Sequence, residues 1–186
     1  MQPDEAFDDV LSSARAGAEW GWTRIYDDLA PQVVGYLRAH GAADPEDLAG
    51  EVFLHVVRGL PRFRGGRADL RAWTFAIAHR RMVDELRRRR RRPVAPASPE
   101  AIADAAGAGG DVRDDAEERT AYASIRAAID ELPPDQRAVL LLRIIGDLTI
   151  DEIARALGKR PGAVKALQRR GLRRLERAYP FAPLER

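Results

Sequence analysis

Apolar residues along this chain recur at helical rather than strand spacing. With residues placed about 100° apart, Leu48, Val52, Phe53, Val56, Val57 and Leu60 share one arc, and Asp47, Gly50, Glu51, Leu54 and Arg58 lie opposite. Local signals mark where this helix begins. Asp44 can cap free amides, Pro45 suits the first helical position, and Glu46 and Asp47 meet the positive end of the dipole. A helix from Asp44 to about Leu60 is predicted. The stretch Pro61 to Asp69 reads as a basic loop with flexible glycines, followed by a second helix capped by Asp69. Phe75, Ala78, Met82 and Leu86 form the core side of that helix, while Trp73, Ile77, Arg80, Arg81, Arg87 and Arg88 gather on the other.

Near the C-terminus, Thr149-Ile150-Asp151-Glu152 has the form of a capping box, in which hydroxyl and carboxylate satisfy each other's backbone amides. Ile150, Ile153, Ala154 and Leu157 give the short helix its apolar stripe, Gly158 closes it, and Pro161 opens the next. In that next helix Val164, Leu167, Gly171 and Leu175 share one arc, and Lys165, Ala166, Arg169, Arg170 and Arg173 share the opposite one. A helix-turn-helix is predicted. Arg160, Gly162, Lys165 and Arg169 are placed to enter a major groove, and Arg170 and Arg173 to reach phosphates.

Helical periodicity covers Trp20 to about Arg91, fails at Pro93-Val94-Ala95-Pro96-Ala97-Ser98-Pro99, and resumes after about Arg119. The expected architecture is all-α. It has an acidic N-terminal segment (1–19), a helical module (20–92), a flexible linker (93–119) and a second helical module (120–179) holding the helix-turn-helix. Each module is small enough that a partner is expected to stabilise or orient it.

Charge sharpens this picture, because a net charge of only +2 conceals segregation along the chain. Up to Glu51 acids dominate. From Arg58 to Arg92 arginines dominate, ending in the run Arg87 to Arg92, and a second basic block spans Arg155 to Arg177. Two basic blocks imply two polyanion contacts. The loop residues Arg62, Phe63, Arg64 and Arg67, with Trp73, Arg80, Arg81 and Arg87 on the helix, have the chemistry to hold phosphates and stack unpaired bases. The favoured reading of Trp73 and Ile77 is that they pack against a neighbouring helix with the arginines flanking it. Leu54 admits two readings as well. It is either an ordinary exposed leucine, or the centre of a protein-docking face where Gly50 allows close approach and Asp47, Glu51 and Arg58 supply charge.

No cysteine is present, and His40, His55 and His79 lie far apart without carboxylates at ligand spacing, so neither a metal nor a cofactor is expected. An acidic metal cluster, a phosphate-binding glycine loop and a paired nucleophile and base are all missing, which argues against an enzyme. With an acidic start and no long apolar run, the chain is expected in the cytoplasm without membrane insertion.

From Trp20 to Tyr179 the chain resembles the extracytoplasmic-function (ECF) class of the sigma-70 family of RNA polymerase sigma factors. The residues carrying the resemblance are Ile25-Tyr26-Asp27-Asp28-Leu29-Ala30-Pro31, Asp47 to Leu54, Phe75-Ala76-Ile77-Ala78-His79 with Val83-Asp84, Leu132-Pro133-Pro134-Asp135-Gln136-Arg137, and Gly162-Ala163-Val164-Lys165. The resemblance implies that residues 20–92 are sigma region 2 and residues 120–179 sigma region 4. The face bearing Asp47, Gly50, Glu51, Leu54 and Arg58 would dock on the beta-prime clamp of core polymerase, whose beta flap is a further contact. The basic loop and helix would read and open the minus-10 element as single strands. The recognition helix would read minus-35 as duplex, and the polymerase would do all the chemistry. Anti-sigma partners are common in the resembling family, and nucleoid association follows from polymerase binding. Gly50, Arg80 and Lys159 depart from the family's usual residues, so promoter preference does not carry over. The competing reading is a transcriptional regulator that uses only the helix-turn-helix, with the N-terminal module as a sensor or dimerisation unit; it leaves the first basic block unused.

Overall fold

The computed structural model describes residues 3–91 and 126–178, and the linker expected at 93–119 lies outside them. The described residues are helical, without strands, as the periodicity requires. Helix α1 (Pro3–Arg15) precedes α2 (Glu19–His40), α3 (Pro45–Gly59), a short 3-10 turn (Leu60–Arg62) and α4 (Arg67–Arg91). A helical stretch at 126–130 leads to α5 (Pro134–Ile144), α6 (Ile150–Leu157) and α7 (Pro161–Ala178).

The acidic N-terminal segment is a helix, which its wealth of acids disguises. Its Leu11 is buried, with Phe7, Val10 and Ala14 packed partly against the core. α1 crosses α2 at Gly21, where a Cβ would come within 2.7 Å of the Ala14 amide and 2.8 Å of the Val10 carbonyl. Only a residue without a side chain permits so close a crossing.

α2, α3 and α4 pack around Ile25, Leu29, Val33, Tyr36, Leu37, Val52, Val56, Phe75 and Met82, all fully buried or nearly so. α3 starts as expected, with the Asp44 carboxylate accepting from the Asp47 amide at 2.9 Å. α4 starts differently. Asp69 is not its cap but the third residue of its first turn, and its carboxylate accepts from the Gly66 amide at 3.2 Å. That is the backward half of a capping box, so an acid three residues inside a helix mimics an N-cap in the sequence.

In the second module α5, α6 and α7 close around Val139, Leu142, Leu148, Ile153 and Val164. Both halves of the Thr149–Glu152 capping box form, and Gly158 takes the left-handed conformation (φ 62°) that ends α6. Gly171 lets α7 lie against α5, since a Cβ there would reach within 2.9 Å of Leu140.

The two modules share one continuous apolar core: Phe75 and Ile77 of α4 are buried in the same cluster as Leu148 and Ile153 of the second module. Ile77, placed by periodicity on the basic side of α4, is only 7% exposed. Val57, placed on the core arc of α3, is instead exposed, and Ala49 takes its place inside.

Candidate functional site

Three surfaces carry the residues singled out above. The first lies on α3. Asp47, Gly50, Glu51 and Leu54 line a groove with Glu46, Val57 and Phe53 of α3 and with Trp22 and Tyr26 of α2. Leu54 is 57% exposed and Tyr26 and Val57 are also open, so an apolar strip lies between carboxylates. Tyr26 and Trp22 pack on Phe53, with ring centroids at 4.8 and 6.2 Å, which stiffens the wall of the groove. Gly50 has nothing within 4 Å of where a Cβ would stand, so the groove floor is open there. Arg58 is exposed one turn beyond Leu54. Trp22, Tyr26 and Val57 were missed by sequence reasoning; the four-residue spacing of Trp22 and Tyr26 was the available signal.

The second surface is the basic loop and α4. Phe63 stacks on Trp73 at 5.2 Å with the rings 20° apart, and the Trp73 ring presses on Gly59, where a Cβ would lie 2.7 Å away. The Arg15 guanidinium donates to the Phe63 carbonyl at 2.7 Å and lies over its ring. Arg64 donates to the carbonyls of Pro61 and Phe63 at 3.1 and 2.9 Å. Arg67 reaches both carboxylate oxygens of Asp28, at 2.9 and 3.1 Å. Arg81 pairs with Glu51 at 3.3 Å and bonds to His55 Nδ1, and Arg87 pairs with Asp84 at 3.7 Å. Arg62 and Arg80 are exposed, and among the described residues neither has an acidic partner within 4 Å.

Part of this surface is covered. Asp69, Ala72, Trp73 and Ala76 of α4 face Glu152, Arg155 and Ala156 of α6 across a shallow cleft, and Arg155 approaches Asp69 at 4.0 Å. Trp73 and Ile77 therefore pack towards other elements, while Arg80 and Arg87 remain open on the same helix.

The third surface is the outer side of α7. Lys165, Gln168, Arg169, Leu172, Arg173 and Glu176 line a shallow depression, and Arg160, Gly162 and Arg170 are exposed around it, with Ala166 half-buried. Among the described residues no carboxylate lies within 4 Å of Arg160, Lys165, Arg169, Arg170 or Arg173, which leaves a field of unneutralised cations. Lys159 is separate from that field: it bonds Asp135 at 2.8 Å and ties the turn to the start of α5.

Among the described residues no cluster of three His, Asp or Glu side chains is placed to hold a metal, and no helix is long and apolar enough to cross a membrane.

Comparison with known proteins gives matching results for both modules. The family model for Sigma-70 region 2 matches residues 25–92, and that for Sigma-70, region 4 matches residues 122–175. The ECF RNA polymerase sigma factor BldN of Streptomyces coelicolor is 31% identical over 174 residues, covering 92% of this chain and 65% of BldN. The ECF RNA polymerase sigma factor SigD of Mycobacterium tuberculosis is 30% identical over 178 residues, covering 92% of this chain and 83% of SigD. The chain thus spans just under two thirds of one relative and most of the other. In fold it is similar to CnrH in complex with the cytosolic domain of CnrY, with a TM-score of 0.65 at 20% identity over 91% of this chain and 94% of that one. It is equally similar to the sigma factor RpoE in complex with the anti-sigma factor NepR from Bartonella quintana, with a TM-score of 0.65 at 18% identity over 86% of this chain and 97% of that one.

Proposed function

The chain belongs to the sigma-70 family, in its ECF branch, and from that premise we propose that it binds core RNA polymerase and directs promoter-specific initiation through two DNA contacts. The polymerase supplies the chemistry, and this chain supplies docking and recognition.

The observation that carries the proposal is the arrangement of the first module. One helical frame presents the Leu54 groove on α3 and the basic loop and helix on its neighbour. A plain helix-turn-helix regulator has no use for that pairing. The groove offers a strip of Leu54, Val57 and Tyr26 flanked by Asp47 and Glu51, which suits a partner helix with apolar residues between basic ones. We assign that partner to the beta-prime clamp. Arg62, Phe63, Arg64, Arg67, Trp73, Arg80, Arg81 and Arg87 form the minus-10 surface, with the open arginines meeting phosphates and the Phe63–Trp73 stack meeting bases.

The second module takes the upstream element. Arg160, just before α7, and Gly162, Lys165, Ala166 and Arg169 on its first half enter the major groove, and Arg170 and Arg173 flank it at the phosphates. Contact with the beta flap positions this module, and the linker at 93–119 joins the two grips. Residues 20–92 and 120–179 are accordingly proposed as the working units. An anti-sigma factor is a fitting inhibitor, since RpoE of Bartonella quintana is seen with one. The site of action is the cytoplasm, on the nucleoid when polymerase is bound.

Because the second module covers part of α4, promoter engagement requires the modules to part. The direct test is equilibrium binding to core polymerase, followed by transcription from a promoter library. Leu54→Glu is expected to weaken core binding at least about tenfold and to suppress transcription with it, while leaving the helical circular dichroism unchanged; undiminished core binding would remove the docking assignment.

A further inference from the structure

The seam between the modules is mostly apolar. Gly35 of α2 approaches Ile145, where a Cβ would lie 3.8 Å from the Ile145 side chain, and a Cβ at Gly146 would lie 3.4 Å from Phe75. Beside these contacts Arg126 donates to the Arg38 carbonyl at 3.3 Å. A polar cluster adjoins this seam. His40, the last residue of α2, is 3% exposed, and among the described residues neither of its ring nitrogens has a hydrogen-bond partner. Its ring lies 5.4 Å from Tyr36 and 5.9 Å from His79, centroid to centroid. The Tyr36 hydroxyl and His79 Nδ1 are 2.8 Å apart.

Charged groups face this cluster from the second module. Asp130 and Arg137 act on His40 through their charges, and Asp135 and Lys159 on His79. On the first module Glu85 bonds the Ala43 amide and pairs with Arg89, and Arg38 pairs with Glu46. The facing carboxylates are already engaged, Asp130 with Arg137 at 3.2 Å and Asp135 with Lys159 at 2.8 Å. The pairs sum to zero charge, so the cluster is suited to neutral imidazoles. Protonating either ring would bury a cation beside the other ring and one further cation, Arg137 for His40 and Lys159 for His79, while Asp130 and Asp135 are already paired with those cations. Burial lowers the proton affinity of both histidines accordingly, that of His79 to a pKa of about 4.

We propose that Tyr36, His40 and His79 form a proton-operated latch between the modules, closed while both imidazoles are neutral and released when they take up protons. Release uncovers the Asp69 to Ala76 side of α4. That this side then binds unpaired DNA rests on the function proposed above; the latch itself does not. The direction follows from linkage. The latch requires that parting the modules returns the rings to water, where an imidazole titrates at about 6.5; above that pH the histidines then do not bias the equilibrium. Below it the open form takes the proton first. Opening then gains up to about tenfold per pH unit for each histidine, until the lower closed-form value is reached.

The chain has no cysteine, so Glu19→Cys with Glu176→Cys gives two exposed labelling sites, one on each module, for energy-transfer measurements on the full chain. Transfer efficiency is expected to fall between pH 7 and pH 5 with helical circular dichroism unchanged. His40→Leu combined with His79→Gln should flatten that response, and His79→Gln alone, which keeps a partner for Tyr36, should make it shallower if the double variant fails to fold. Constant efficiency over this range, an equal fall in the histidine variants, or a fall that tracks loss of helix would each overturn the latch. A labelled single-stranded oligonucleotide, added at each pH, should bind more tightly as efficiency falls. Opening without tighter binding would leave the latch standing and remove the DNA assignment of α4.

Discussion

Arg81 of α4 reaches Glu51 of α3 at 3.3 Å, joining the two surfaces of the first module through one ion pair. Glu51 lines the Leu54 groove and Arg81 belongs to the basic helix, so under the proposed function a partner that claims the carboxylate frees a cation for DNA. Both side chains are a third or more exposed, so screening limits the pair to under about 1 kcal/mol of stability. Glu51→Gln is therefore expected to leave urea unfolding almost unchanged while weakening core binding and raising single-strand affinity of the free chain by a few-fold at low salt. Equal single-strand affinity in the two proteins would show that Arg81 is not held back.

Leu54 stands 57% exposed in an apolar strip bordered by acids. Placing a carboxylate there should reduce core affinity at least about tenfold, or ~1.4 kcal/mol, because the centre of a docking face is where truncation or charge costs most. Leu54→Glu should also melt at the wild-type temperature, since the side chain has little to lose in the free chain. A drop in melting temperature matching the loss of binding would mean that Leu54 is structural.

On α7, Arg169 and Arg173 carry different expectations. Arg169→Ala should cost about 1–3 kcal/mol on the preferred upstream duplex and relax sequence preference. Arg173→Ala should weaken all duplexes alike and reduce the salt slope by about one phosphate. Fluorescence anisotropy across a salt series separates the two, and identical behaviour would contradict the groove and phosphate assignments.

Gly21 tests the first helix. A Cβ at this crossing would strike backbone atoms of α1 at 2.7 and 2.8 Å, and backbone cannot swing aside as a side-chain tip can. Gly21→Ala should therefore destabilise the chain by about 1–3 kcal/mol. An unchanged denaturation midpoint would mean that α1 does not pack on α2 in solution.

How legible the molecule was depended on whether a signal was local. Thr149, Glu152, Gly158 and Pro161 act within one or two turns, and the helices they delimit are found where the spacing puts them. Asp69 misled because an acid at the third helical position and an N-cap acid share one sequence signature. α1 was hidden because its apolar residues are sparse among Asp and Glu, and only the Gly21 crossing gives Leu11 a core to enter. The remaining gaps are tertiary. Nothing local says that α6 covers Ala72 to Ala76, that Ile77 is therefore inside, or that Trp22 and Tyr26 turn the Leu54 face into a groove. The resemblance assigned roles to surfaces, but not which of them the second module would cover.

A two-point promoter grip held on core polymerase is tested most directly by one reconstitution. Purified core polymerase with this chain should start transcripts from a subset of a randomised promoter library, and the enriched promoters should share two short blocks at fixed spacing. Leu54→Glu should suppress those transcripts, and Arg169→Ala should erase the upstream block alone. Failure to bind core polymerase, or transcripts whose templates share no more than one block, would contradict the account.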